Sequence, residues 1–152
     1  MQYYGSQFVV AVFSDKTGAD NGNRALKRLG TEGAAIYRSA VLYKNADGRV
    51  STVHRTEEGS KAIVFVAAFI GALAGIPTGP EAALAGAIGG ALFGISAELT
   101  NRGVGNRFVQ KVSYELAHNK FAICAEISSP DLEFFEASMK ELGAIVSHQS
   151  AT

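Results

Sequence analysis

The chain has 152 residues, and its 14 basic and 14 acidic side chains give a formal net charge of zero. This length is typical of one domain with its own core, and the balanced charge gives no electrostatic reason to expect a nucleic-acid partner. A single cysteine, Cys124, excludes an internal disulfide. The first residues carry no basic stretch followed by an apolar one, so we expect no secretory signal and an intracellular, reducing environment.

The first third of the chain predicts a strand, a helix and a hairpin. Residues 8–13 form a continuous apolar run, which indicates a strand buried on both faces. Residues 20–33 have the apolar spacing of a helix. Residues 36–44 and 49–56 are typical of strands, and the Asn-Ala-Asp-Gly sequence at 45–48 predicts the turn between them.

The last third predicts two helices and two strands. Residues 107–117 repeat apolar side chains every fourth position, as an amphipathic helix does, and residues 121–127 indicate a buried strand. The Ser-Pro-Asp sequence at 129–131 predicts a helix start with the serine as N-cap. Gly143 predicts the end of that helix, and residues 144–148 form a final short strand.

These elements predict an α+β fold with an insertion. Without the alanine- and glycine-rich stretch in the middle of the chain, the first six elements read βαββαβ, the ferredoxin-like order, and an extra αβ unit follows at the C-terminal end. We therefore predict a ferredoxin-like sandwich from residues 1–57 and 104–152, and an inserted helical hairpin in residues 58–103.

The inserted segment is unusually poor in charge. Residues 62–97 contain 11 alanines, 7 glycines and one charged side chain, Glu81. Pro77 and Pro80 cannot lie inside one regular helix, so we predict two helices joined by a tight turn. Each helix is apolar on all sides and has to be buried in protein or in lipid.

Small residues recur every fourth position on both predicted helices, which places them on one face of each helix. Such faces let two backbones approach closely, and this contact offsets the cost of about 1 kcal/mol for each helical glycine. We predict that these glycine-zipper faces drive homo-oligomer assembly. The predicted packing residues are Ala67, Gly71, Gly75, Gly86, Gly90 and Gly94.

Two environments for the hairpin are compatible with the sequence, a membrane and the interior of a soluble oligomer. The first helix, residues 62–76, would be roughly 22 Å long, whereas a bilayer core of about 30 Å asks for about 20 residues. Basic residues cluster at the open end and none lies at the tip, which favours entry into a membrane from the cytoplasm. We therefore expect the protein at the cytoplasmic face of the inner membrane, or in the cytoplasm as a soluble oligomer.

The order of these features resembles the bacterial domain-of-unknown-function 1269 family of predicted membrane proteins. The resemblance covers nearly the whole chain and implies a small bacterial protein associated with a membrane or a large assembly. It implies no catalytic residue. The matching segments are residues 8–13, 40–50, the glycine array at 71–94, Arg107-Phe108-Val109 and residues 141–144.

The chain has no phosphate-binding loop and no serine-nucleophile motif, so we predict a non-enzymatic protein without cofactor or metal. Glu115 and His118 stand three apart on a helix, but a di-iron centre needs two such pairs and two further carboxylates. We expect His54 and His148 at the surface.

The surroundings of two residues in the predicted strand at 121–127 can also be predicted. Cys124 stands among apolar neighbours, where a thiol acts as a small hydrophobe. Glu126 would mark an edge or a face open to solvent.

A second function is compatible with the predicted strand at 36–44. Tyr37, Ser39, Val41 and Tyr43 alternate onto one face of it, for which we expect core or interface packing. The alternative is a small-molecule binding or stress-sensing module that uses the ferredoxin-like sheet face as its pocket.

Overall fold

A computed structural model describes residues 5–47, 49–56, 106–116 and 120–151. These residues form an α+β fold, as predicted, and a short 3-10 turn at Ser129–Asp131 leads into the last helix. The elements are β1 Ser6–Phe13, α1 Lys16–Thr31, β2 Ile36–Lys44, β3 Val50–Thr56, α2 Asn106–Glu115, β4 Lys120–Ser128, α3 Leu132–Glu141 and β5 Ile145–Ala151.

The strands form one antiparallel sheet in the order β3-β2-β4-β1-β5. β1 lies between β4 and β5 and pairs with both along its length, while β2 joins β4 to the β3 hairpin. At the C-terminal end of the chain, β5 pairs directly with β1 and α3 packs beside α1.

One face of the sheet, the helix face, carries α1 and α3. Alternate side chains of the strands point into this layer, where they meet the apolar sides of both helices. The core contains Val9, Ala11, Phe13, Ala19, Ala25, Leu26, Val41, Ile123, Ala125, Ile127, Phe135 and Met139.

The opposite face of the sheet, the second face, is also buried on the central strands. Val10, Val12 and Ala122 are at most 3% exposed. Ser147 pairs with Val10 and so shares this face, and its hydroxyl donates to Glu115 of α2. α2 therefore lies on the second face, and β1 is buried on both sides, as its continuous apolar sequence predicted.

The first helix begins earlier than its apolar spacing predicted. Asp15 is its N-cap, since one carboxylate oxygen accepts the N–H of Gly18 at 2.7 Å. The predicted end is confirmed by Gly33, which follows the helix at a φ of +107°.

The predicted hairpin turn is confirmed. The Asn45 side-chain oxygen accepts the N–H groups of Asp47 and Arg49, each at 2.9 Å, and the Asn45 N–H donates to the Arg49 carbonyl at 2.9 Å. The Asn45 side chain therefore serves as the acceptor for two N–H groups of the turn, in place of a backbone carbonyl.

The predicted cap of the last helix is wrong. Ser129 lies in the 3-10 turn, and its hydroxyl donates to the Gly5 carbonyl at 2.6 Å instead of accepting a helix N–H. Asp131 likewise bonds outside the helix, because its carboxylate accepts the N–H of Ala35 at 2.9 Å and the hydroxyl of Ser128. The Ser-Pro-Asp sequence does open the helix, but its polar side chains join it to neighbouring segments.

Candidate functional site

The predicted packing residues lie outside the described part of the chain. What the structure shows is how the segment that contains them is attached. β3, which precedes residues 57–105, is one edge of the sheet, and α2, which follows them, contacts β5 at the other edge. The six residues concerned are Ala67, Gly71, Gly75, Gly86, Gly90 and Gly94.

α2 has a buried apolar side at the predicted four-residue spacing. Phe108, Val112 and Leu116 are 8%, 0% and 0% exposed. Tyr114, on the opposite side of the helix, is 85% exposed. The segment at 57–105 is therefore followed by a helix that contacts β5 and has one apolar side buried.

Glu115 has a structural partner on this face. One of its carboxylate oxygens accepts the Ser147 hydroxyl at 3.0 Å. The other member of the sequence pair, His118, lies outside the described residues. Within the described ranges, no group of three or more histidine, cysteine, aspartate or glutamate side chains could hold a metal ion.

Two charged residues are buried in the sheet. Lys44 on β2 is 3% exposed and Glu126 on β4 is 5% exposed. The expected edge or solvent-facing position of Glu126 is wrong, because β4 lies between β1 and β2, and its pairing with buried Phe8 places it on the second face. Burial lowers the pKa of the Lys44 ammonium, since the charged form loses its hydration.

The expectation for Cys124 is confirmed. The residue is 4% exposed, and burial raises the pKa of its thiol far above the usual range. Because the thiolate is the nucleophilic form, this protonated thiol acts as a small apolar side chain.

The aromatic row on β2 is interrupted. The register between β2 and β4 shifts between Ile36 and Arg38, and Tyr37 at this point is 47% exposed, so it does not continue the row as predicted. The rest of the row is packed as expected. Val41 belongs to the core, and the Tyr43 ring stacks on Phe121 with 4.6 Å between centroids.

The histidine on β5 is exposed, as predicted. The His148 side chain is 47% exposed, and its Nδ1 atom contacts a carboxylate oxygen of Glu136 on α3. The Lys140 ammonium lies 3.9 Å from the other oxygen of Glu136. The side chain of His54, the other predicted surface histidine, lies outside the description.

An open groove of about 440 Å³ lies between α1 and α3. Asn21, Arg24 and Arg28 line one side, and Ser138 and Glu141 line the other. Guanidinium groups suit carboxylates and phosphates, and this volume is within the range of small-molecule sites. The sequence did not indicate this groove, because its two sides come from helices far apart in the chain.

Among the described residues, no helix is long and apolar enough to cross a membrane, and residues 62–97 lie outside that search. Comparisons of the chain with models of protein families, with curated proteins and with solved structures find no match.

Proposed function

We propose that this protein is a non-enzymatic, self-assembling or membrane-associated protein whose inserted hairpin, residues 58–103, drives homo-oligomerisation. One observation carries the proposal: among the described residues, β1, α1, β2, β4 and α3 together form a hydrophobic core on the helix face. A sheet domain with a core of its own supports a hairpin that is an addition to it, whose predicted apolar faces would serve assembly.

The connectivity of the sheet supports this division. β1 and β2 both pair antiparallel with β4 between them, and β4 and β5 both pair antiparallel with β1 between them. Each of these two units has a helix as its connection, which is the split β-α-β arrangement. We propose a ferredoxin-like sandwich built from β1-α1-β2-β4-α3-β5, in which β3, the hairpin and α2 form one insertion.

The chemistry of the hairpin supports assembly by close helix packing. Five glycines in two short helices, at positions 71, 75, 86, 90 and 94, would cost several kcal/mol at about 1 kcal/mol each. Backbone contact across small-residue faces offsets this cost, in lipid or between subunits. The resemblance to the domain-of-unknown-function 1269 family supports either setting.

The test of assembly is the mass of Gly90→Leu. A leucine on the small-residue face separates the helices, so we expect the assembly to break while the sheet domain stays folded by circular dichroism. Light scattering of the full chain, in buffer and in detergent, measures the mass. Gly89→Leu is the matched control, because residue 89 lies about 100° around a helix from residue 90 and outside the four-residue series. An unchanged mass for Gly90→Leu rejects the proposal.

The surroundings of the hairpin need a separate measurement. Fractionation of the native protein between membrane and cytosol, with the mass determined in both fractions, distinguishes insertion into lipid from burial in a soluble oligomer.

The groove between α1 and α3 favours a second candidate, a module that binds a small carboxylate or phosphate. The Arg24 and Arg28 side chains both line this groove and stand four apart on α1. A thermal-shift screen of such anions tests it. A shift that is lost in Arg24→Ala and kept in Arg49→Ala, an exposed arginine of the hairpin turn, supports the module, and the absence of any shift rejects it.

A further inference from the structure

In the described part of the sheet, β5 is an edge strand whose sequence lacks the residues that usually protect an edge. Among the described strands it pairs with β1 alone, in an unbroken register over seven positions. Its sequence, Ile-Val-Ser-His-Gln-Ser-Ala, contains no lysine, arginine, acid, proline or glycine. Proteins normally block an exposed edge with charges, prolines or bulges, because its free N–H and C=O groups can pair with another strand.

The other edge of the sheet differs in each respect. The pairing of β3 with β2 shifts register between Val41 and Leu42, which twists that edge. Its sequence carries Arg55, and the exposed Arg49 comes directly before it. β3 thus carries features that discourage further pairing, and β5 lacks them.

We propose that β5 pairs with β5 of a second copy of this chain, so that two five-stranded sheets become one continuous sheet. The partner is a second copy because the strand is complementary to itself. It carries no fixed charge, so two copies do not repel each other. The 51% exposed Ile145 adds apolar surface at the edge.

The geometry fixes the register of this pairing. Residues directly opposite each other in an antiparallel pair share a face, so a two-fold axis has to pass through one residue that pairs with itself. Full overlap of Ile145–Ala151 puts that residue at the middle, His148. Val146 then lies opposite Ser150 of the second copy on the helix face. Ser147 lies opposite Gln149 on the second face.

The contact of His148 with its own Glu136 agrees with this position. The ring is held by α3 of the same subunit, so the residue at the axis already has a partner for its Nδ1 atom before pairing. The inter-subunit hydrogen bonds then come from the backbone, as in other strand additions.

Disulfide trapping tests the register in the full chain. Opposite Cβ atoms in such a pair lie about 4.5–5.5 Å apart, so His148→Cys should form a covalent dimer under mild oxidation, seen on a non-reducing gel. Ser150→Cys is the matched control on the same face. In this register its two copies are offset by four residues, about 13 Å, and should not cross-link. The native Cys124 is buried and does not interfere.

A mixture of two other cysteine variants tests the same register without replacing His148. Val146→Cys and Ser150→Cys lie opposite each other only in the proposed register, so we expect a disulfide heterodimer from the mixture and little from either variant alone. Equal cross-linking of all variants, or none in any folded variant, overturns the proposal. The same trapping in a Gly90→Leu background separates it from hairpin assembly, because the β5 contact should persist there even where the hairpin contact is lost.

Discussion

At Gly22, α1 packs closely against buried side chains of the sheet. A Cβ atom at this position would lie 2.6 Å from Phe13 Cζ and 2.7 Å from Ile123 Cδ1, and both side chains are buried at 2% and 0% exposure. Overpacking a core costs about 1–3 kcal/mol, whereas alanine gains at most about 1 kcal/mol of helix propensity. We therefore expect Gly22→Ala to lower the free energy of unfolding by about 1 kcal/mol in urea titrations.

Gly30, on the same helix, is the control for that substitution. A Cβ atom there would meet Ile36 Cδ1 at 3.6 Å, an ordinary contact. Gly30→Ala should therefore stabilise the protein, by up to about 1 kcal/mol. A gain of stability in both variants would show that α1 does not need the close approach.

Lys44 predicts a dependence of stability on alkaline pH. Burial lowers its pKa in the folded protein below the ordinary value of 10.5. Between the lowered and the ordinary pKa the unfolded chain binds more protons, so the Lys44 contribution to stability rises with pH, and its cost is largest below that window. Lys44→Met should raise the free energy of unfolding at neutral pH and remove this rise.

The comparison for Lys44 has to be made against the unsubstituted protein over the same pH range. Cys124 acts in the opposite direction. Its thiol has a raised pKa in the folded protein, so above the ordinary value of 9.0 the unfolded chain loses this proton first and the free energy of unfolding falls as pH increases. Its effect cancels in the difference between the two proteins. Lys16→Met, at an exposed position on α1, is the control and should leave the pH profile unchanged. If the free energy of unfolding of Lys44→Met changed with pH in parallel with that of the unsubstituted protein, the pH dependence would not come from Lys44.

At the scale of the elements, Asp131 ties the start of α3 to the start of β2. Asp131→Ala leaves the partly buried N–H of Ala35 without its acceptor, a loss of about 1–3 kcal/mol in the free energy of unfolding. Asp131→Asn keeps an acceptor oxygen and should lose less. Glu133→Ala, which removes an exposed acid from the first turn of the same helix, should cost less than about 1 kcal/mol. Equal losses for Asp131→Ala and Glu133→Ala in urea titrations would contradict the tie.

The elements themselves were predictable where one local signal dominates. β2 has the predicted bounds, and the Asn45 turn forms as its sequence indicated. The start of α1 was missed because Thr17 and Gly18 are poor helix formers, and only the cap at Asp15 reveals it. The role of Ser129 was missed because its partner, Gly5, is more than a hundred residues away in the sequence.

At the scale of the whole molecule, the helices and strands could be predicted from the sequence, but the order of the strands in the sheet could not. The prediction took the elements as they follow one another in the chain, and only the structure shows that β3 lies at an edge of the described sheet and α2 on the second face. The burial of Glu126 followed from that order and could not be predicted without it. The groove between α1 and α3 has the same origin, since it exists only once α3 packs beside α1.

The pairing of Ser6 with Ala151 and of Val12 with Ile145 has a consequence for biosynthesis. A ribosome makes β1 early and β5 more than a hundred residues later, with the charge-poor residues 62–97 emerging in between. The nascent chain therefore exposes its most apolar segment while β1 still lacks its neighbour β5. Contacts between residues so far apart in the sequence form slowly. During that interval, aggregation of the exposed apolar segment competes with folding of the sheet.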